Sequence, residues 1–455
     1  MANIIVSAFS NVTWTKQTYH DSFIEGFINS LRRCGNNLLS LRVNDFVIGG
    51  PNSTNKIFFD QAKFEIKIKE FQPDLIVVFN NTFPTEKILQ VTNCPIACFA
   101  SDSPAFFSQK NLIDKYLDRY QFFNFSNDTF KSIPEWFPLI KKDQLHMFGH
   151  ATDLKAQKIE QDINISFVGS IGNYSHKLID YFKFLEGRLR RDSSTLDPNK
   201  IKNDFYESLD EFIKDPLKSF EYYFYDGAIY KDSPIEPQII LMLTCKQRFQ
   251  ILSELTDLGL KIFGFPGSWS ETIQYDYELF RCFDYNLSVS LDHSTYNYNR
   301  SKISLNLPHG HACEGFSWRV CDILASNAVL LSNPQPDLVK LMRGYVDLPM
   351  YQNKSEAREL AIKLLKEKNW RKEISLASQK MIEDKCRFEK KFHEMQQIFS
   401  GIQLFTDKKG NLDSLSIDDC SNKILYKYKV CLNFAVQQIK YCLPYLVKPL
   451  KRILA

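Results

Sequence analysis

Along the first 150 residues, short runs of consecutive apolar positions alternate with stretches in which apolar residues recur every three or four. Asn3 to Phe9 (NIIVSAF) reads as a buried strand. An amphipathic helix follows, with Phe23, Ile24, Phe27, Ile28 and Leu31 on one face, and Gly35 is placed to end it. LLSLRV, Asp74 to Phe79 (DLIVVF), Ile96 to Ala100 (IACFA) and Phe122 to Phe125 supply further strands, two of them bounded by Pro73 and Pro95. Strands separated by helices pair in parallel through right-handed crossovers, so the pattern predicts an α/β fold with a Rossmann-like sheet.

The alternation then restarts. Ile163 to Gly169 (INISFVG) is a strand opening into a glycine-bearing loop, and residues 178–245 are helical and charged, too long for one crossover and read as an insertion. Arg248 to Leu258 is a helix, and LKIFG, KISLNL and AVLLS are strands, with Trp318 to Ala325 a helix before the last. The predicted organisation is an N-terminal Rossmann-like domain over 1–155 and a second over 156–380. A helix over 381–405 crosses back to the first domain, and a linker and basic amphipathic helical tail occupy 406–455. Two such halves in series face each other across a cleft, where ligands meet the carboxyl ends of strands.

Composition narrows the class. At 455 residues, 44% hydrophobic and 24% charged, the chain is an ordinary globular one of two or three domains. A net charge of +4 is too small a basic excess to predict a nucleic-acid partner. The 11 cysteines are scattered, and Cys94 and Cys98 have no second pair or nearby histidines to complete a zinc site. The N-terminal MANIIVSAF reads as a strand and not a signal peptide, and no run reaches membrane-spanning length, so a cytoplasmic protein is expected. From Lys423 onward seven basic residues and no acids interleave with Ile424, Tyr428, Leu432, Val436 and Ile439. That is the pattern of an interfacial helix, which predicts peripheral contact of residues 423–455 with the anionic inner face of the cytoplasmic membrane.

The stretch KISLNLPHGHACEGFSWRVCDILASNAVLLSN carries the chemistry. Glu314 falls in the loop after a strand, and Asp322 lies about one turn inside the following helix. The amides of Gly315, Phe316 and Ser317 then stand at a helix start, where unpaired N–H groups favour a pyrophosphate. A carboxylate accepts from two vicinal hydroxyls of a ribose or hexose, and Arg319 supplies a cation in the same turn.

This segment resembles the donor-site signature of GT-B glycosyltransferases of the group 1 type. Arg319-Val-Cys-Asp322 is most similar to glycosyltransferases named after spore maturation proteins. FVGSIGN, RFQILSELTDLGLKIFGFPGSW and HATD (His150 to Asp153) share the resemblance, which spans roughly residues 70–390. It implies a GT-B fold and transfer of a sugar from a nucleotide sugar, as substrate and without metal, to a glycan or lipid-linked glycan. The resemblance points to bacterial surface polysaccharide or glycoconjugate synthesis, with retention of configuration mildly favoured. It assigns the ribose to Asp322 and the donor sugar to Glu314. Family members carry an arginine after the FVG strand and a lysine soon after; here stand Ser170, His176 and Lys177. The diphosphate is therefore expected to meet Arg319, Lys177 or Arg248, or the donor is a less anionic nucleoside monophosphate sugar.

Other candidates flank this centre. His309 and His311 can donate to a phosphate or move a proton. Gly169 and Gly172 let backbone approach a phosphate, with Ser170 between them. Asp102, in ASDSP, sits where an acceptor-side base is expected, or closes an Asx-turn; Asp21 reads as a helix cap beside His20. Trp269 packs on a base or fills the core. Two rival readings are a non-catalytic GT-B-like module that binds glycan or nucleotide, favoured by the missing arginine, and a sugar-nucleotide epimerase, disfavoured by the RVCD helix.

Overall fold

The computed structural model describes residues 1–8, 11–14, 17–43, 60–82, 86–104, 107–171, 244–245, 247–264, 269, 272, 276–285, 288, 290–309, 312–415 and 417–420. Gly172, His176, Lys177, His311, nearly all of the 178–245 insertion and the tail from residue 421 lie outside them.

Strands β1 (Asn3–Ala8), β2 (Asn11–Trp14), β3 (Gln17–His20), β4 (Asn37–Arg42), β5 (Leu75–Phe79), β6 (Ile96–Ala100), β7 (Tyr120–Asn124) and β8 (Leu145–Met147) come from the first half. Strands β9 (Ile163–Val168), β10 (Leu260–Phe263), β11 (Phe283–Asp284), β12 (Ser301–Asn306) and β13 (Val329–Ser332) come from the second, and β14 (Leu412–Leu415) from beyond it. One parallel sheet runs β14-β4-β1-β5-β6-β7-β8, the other β11-β10-β9-β12-β13, and β2 and β3 form an antiparallel hairpin after β1. Helices α1 (Ser22–Arg33), α2 (Gln61–Phe71), α3 (Glu86–Val91), α4 (Lys110–Lys115) and α5 (Asn127–Trp136) belong to the first domain. In the second lie α6 (Leu291–Arg300), α7 (Arg319–Ala325), α8 (Pro336–Met342), α9 (Lys354–Lys366) and α10 (Lys368–Lys385); α11 (Phe388–Ile398) and α12 (Ile417–Cys420) follow. This is the GT-B architecture: two Rossmann-like parallel sheets in tandem, as the alternating pattern predicts.

The apolar stripe of α1 is buried as its spacing demands, with Phe23, Ile24, Phe27, Ile28 and Leu31 each at most 2% exposed. Asp21 caps the helix by accepting from the Phe23 amide, and Gly35 follows its end at φ +98°. A Cβ on Gly35 would stand 1.9 Å from Thr406 Oγ1, so glycine serves both the left-handed backbone and the close pass of the returning chain. Phe388, Phe392, Met395 and Phe399 of the α11 region bury themselves among α1, β1 and β5, joining the first domain's core. The segment 406–422, expected to be a linker, is different: Leu412 to Leu415 pair in register with Leu38 to Leu41, and α12 lies against α2. Only Leu415 of the four β14 residues is buried, because an edge strand shows most of its side chains to water, and that hid it from the hydrophobic pattern.

Candidate active site

In the second sheet β9 leads one way to β10 and β11, while β12 leads the other way to β13. The switch point, and hence the crevice, lies at the carboxyl ends of β9 and β12. Gly169 and Ser170 leave β9 here. The Gly169 amide donates to the Phe263 carbonyl, and its own carbonyl accepts from Trp269 Nε1 at 2.9 Å. Trp269 is fully buried against Phe167 and Phe283, so it is a core residue and not a stacking platform for a base. Arg248, 4% exposed, donates from Nη1 to the Ser170 carbonyl (2.6 Å) and from Nη2 to the Leu307 carbonyl (3.2 Å), joining the exits of β9 and β12. Its guanidinium lies 5.8 Å from the Phe167 ring centre, and that of Arg319 lies 5.9 Å from the same ring. Burial first, then the charge of Arg319, lowers the Arg248 pKa to about 9. Arg319 Nη1 is buried without a hydrogen-bond partner among the described residues. Two guanidiniums thus flank one ring, and neither is hydrogen-bonded to a carboxylate among the described residues, although the Asp21 and Asp322 carboxyls act on Arg319 through space.

Asp322, on α7, is 2% exposed and accepts from Ser22 Oγ at 2.8 Å and from the Thr152 hydroxyl. In this arrangement the carboxylate faces α1 and the HATD segment of the first domain. Thr152 belongs to the HATD segment, whose Asp153 pairs with Arg33 of α1 (2.6 Å). Arg387, at the return crossing, donates to the Thr152 and Leu154 carbonyls, so both chain crossings meet at Asp322. Burial pushes Asp322 up to about 6 and Asp21 up to about 7, the latter raised further by Asp322 and opposed by the Phe23 amide and Arg319.

Both carboxyls thus bind protons more tightly folded than unfolded. Their stabilising contribution is complete below about pH 4 and is lost as pH rises through about 6–7. Asp21→Asn should therefore flatten the fall in urea midpoint between pH 5 and 8, by on the order of 2 kcal/mol. An unchanged slope would show that the pair is already ionised in the folded chain.

The loop from Leu307 to Trp318 is pinned by Asn306, which accepts from Ser317 Oγ (3.0 Å) and donates to Ser332 Oγ (3.0 Å). Of the amides expected to stand free, that of Gly315 instead donates to the Asp128 carboxylate at 2.7 Å, and the Glu314 amide before it does the same at 2.9 Å. Asp128 stands in the first turn of α5, in the other domain. The Glu314 carboxylate pairs with Lys131, and Asn127 donates twice to Asp337 of α8. A Cβ on Gly315 would fall 2.3 Å from Ser126 Cβ, so the domains touch through glycine backbone. Phe316 lies against His150, and helix α7 begins at Arg319 with no side-chain cap. Asp128→Asn should lower the urea midpoint by the equivalent of about 1.5–3 kcal/mol, the range for hydrogen bonds to a charged group. An unshifted midpoint would mean the contact adds nothing to closure.

Across the crevice the first sheet switches direction between β1 and β5. Asn80 and Asn81, after β5, both adopt φ +50°. Asn80 Nδ2 donates to Asp102 at 2.6 Å, while its Oδ1 accepts from the Ser101 and Asp102 amides. Asp102 is therefore held at the mouth of this half. His20 Nε2 lies 3.4 Å from Ser40 Oγ, and His309 is half-buried on the β12 exit, its carbonyl accepting from the Ala312 amide. The sequence reading missed Asp128, Ser22 and Asn306, and reached Thr152 only as part of the HATD segment. Only Asn306, a polar residue ending an apolar strand, carried a local signal. Among the described residues no three His, Cys, Asp or Glu side chains gather as a metal site, and no helix is long and apolar enough to cross a membrane.

Residues 247–397, which contain Arg248, Glu314, Arg319 and Asp322, match the family described as glycosyl transferase-like. Sucrose-phosphate synthase from Thermosynechococcus elongatus superposes with a TM-score of 0.51 at 8% identity, over 88% of this chain and 98% of its own. HepE from Anabaena, solved with UDP-glucose, gives 0.48 at 10% identity over 88% and 100% of the two chains. Phage T4 BGT, solved with UDP and Mn2+, gives 0.47 at 12% identity over 87% and 99%. At such identities the likeness speaks to fold. The fold and the matched segment together define a glycosyltransferase of the GT-B class. No curated protein matches the chain in sequence.

Proposed function

We propose that this glycosyltransferase takes its sugar from a nucleoside diphosphate donor whose diphosphate lies between Arg248 and Arg319. The observation that carries this reading is the pair of guanidiniums around Phe167, each with one buried nitrogen that has no hydrogen-bond partner among the described residues. Arg248 reaches Ser170, the position at which the group 1 pattern has its arginine, and so restores in space a cation that is missing in sequence. That favours a diphosphate over a monophosphate donor. Gly169 has little room for a side chain, since a Cβ there would sit 3.0 Å from the Phe167 ring and 3.4 Å from Arg319 Nη1.

When the domains part, ribose hydroxyls replace Ser22 on Asp322, and the Glu314 and Gly315 amides exchange Asp128 for the donor. Glu314 and His309 face the sugar, and Asp102 is the acceptor-side base. Arg319 and Arg248 stabilise the departing phosphate while closure excludes water. The acceptor is a glycan or lipid-linked glycan. The test is donor turnover without acceptor: the full chain should release free sugar and nucleoside diphosphate from at least one nucleotide sugar in a panel. A panel in which none is hydrolysed, with or without glycan acceptors, would sink the reading.

The basic tail from Lys423, as an interfacial helix, docks the enzyme on an anionic membrane beside such an acceptor. Basic residues contribute about 1 kcal/mol each near an anionic leaflet, weakened by salt. The full chain should co-sediment with phosphatidylserine-containing liposomes at low salt, and a chain ending at Ser421 should not. Equal sedimentation of the two forms would make the tail a structural element.

A further inference from the structure

Beside the crevice, where the two chain crossings meet, lies a cavity of 530 Å³ that shares only Phe316 with the candidate donor residues. Its size is that of a small-molecule site. We propose that it binds a small ligand carrying an oxyanion, a phosphate or carboxylate, which bridges the two domains at a place distinct from the donor crevice.

The first observation is His150. It is 7% exposed and sandwiched between Phe125, 5.3 Å away and near parallel, and Phe316 at 4.4 Å. The Phe316 backbone lies close enough to favour the protonated ring slightly, but neither ring nitrogen reaches a partner at full hydrogen-bonding geometry among the described residues. Burial pushes its pKa down to about 3, so the ring is a neutral imidazole with one donor and one acceptor. A buried polar group left unpaired is costly, and a ligand atom that pairs with it is correspondingly favoured.

The second observation is the charge on the walls. The crossing contributes Lys385, Lys390 and Lys391, and α8 contributes Lys340. Three acids line the same walls: Asp337 accepts twice from Asn127, Asp384 accepts from the Tyr345 hydroxyl, and Glu394 faces Lys391, so the four ammoniums exceed the carboxylates by one charge. Among the described residues Lys340 and Lys385 have no ion pair, and Lys391, with its side chain only 18% exposed, has Glu394 at 3.7 Å. The Lys391 ammonium lies beside Gly149, where a Cβ would meet it at an ordinary contact distance of 3.7 Å. An oxyanion among these ammoniums and beside His150 satisfies both deficits. Because Phe125, Asn127 and His150 come from one domain and Phe316 and Lys340 from the other, the occupant binds only where the domains are together, and so favours closure.

Calorimetric titration of the full chain with inorganic phosphate, and separately with citrate, tests this. At least one should bind, which also identifies the oxyanion. Binding should weaken at least tenfold in Lys391→Ala and in the Lys340→Ala/Lys385→Ala double variant, whose lysines are exposed and not needed for folding. Arg319→Lys, altered in the donor crevice, should bind the anion as the unmodified chain does. The proposal is overturned if neither anion binds, if the lysine variants bind with unchanged affinity, or if Arg319→Lys alone loses binding, which would put the anion in the crevice. Failure of the donor reading appears separately, as an Arg319→Lys variant with unimpaired donor turnover.

Discussion

Arg319→Lys should lower kcat/KM for the nucleotide-sugar donor by about 10²–10³, the loss seen when one preorganised donor to a developing negative charge is removed. Arg319 lies over Phe167 with one nitrogen buried and unbonded among the described residues, and it feels the charges of Asp21 and Asp322. A lysine keeps the charge but lacks the planar fork that bonds two phosphate oxygens, and its longer-range contact with the ring is lost. Because the donor crevice is only partly buried, the urea midpoint should move little. Steady-state rates within about twofold of the unmodified chain would instead make Arg319 a structural residue, and would move the burden of phosphate binding to Arg248.

Phe388→Ala should cost about 3–5 kcal/mol of stability, the range for removing a buried phenylalanine side chain. Phe388 is fully buried, and its ring meets Phe23 at 5.1 Å, Phe27 at 5.7 Å and Phe392 at 5.9 Å. Phe23 in turn stacks on Trp318 of the second domain at 4.6 Å. The side chain therefore fastens the returning helix α11 to α1 and, through Phe23, to the loop before Arg319. Urea unfolding of the variant should show the loss, and donor affinity should fall with it as Trp318 loses its backing. A change under about 1 kcal/mol would mean that α11 is held elsewhere.

Much of the fold is legible in local pattern. The α1 stripe, the strands NIIVSA, LIVVF and IACFA, and the switch from β12 through α7 to β13 follow from runs and periods that burial imposes. What is not legible is set by chain-distant partners. Asp128 is a first-turn acid like any other until the fold brings it to amides 186 residues away. Ser170 reads as a lost arginine, and only the fold brings the Arg248 guanidinium, 78 residues on, to its carbonyl. β14 is mostly exposed and gives no apolar run, whereas its hydrogen bonds to β4 fix it. Trp269 could not be assigned from composition, since a tryptophan serves a core and a base equally well; the Gly169 carbonyl at its Nε1 decides it.

The central claim is that two arginines at the β9–β12 switch point hold a diphosphate. The direct measurement is the melting temperature of the full chain with saturating nucleosides, nucleoside monophosphates and nucleoside diphosphates in turn. A ligand at 100 times its Kd stabilises by about 2.7 kcal/mol. The account predicts a clear rise with at least one nucleoside diphosphate, a smaller one with the matching monophosphate, and loss of the difference in Arg319→Lys. Equal shifts from monophosphate and diphosphate, or none from any nucleoside diphosphate, would contradict it.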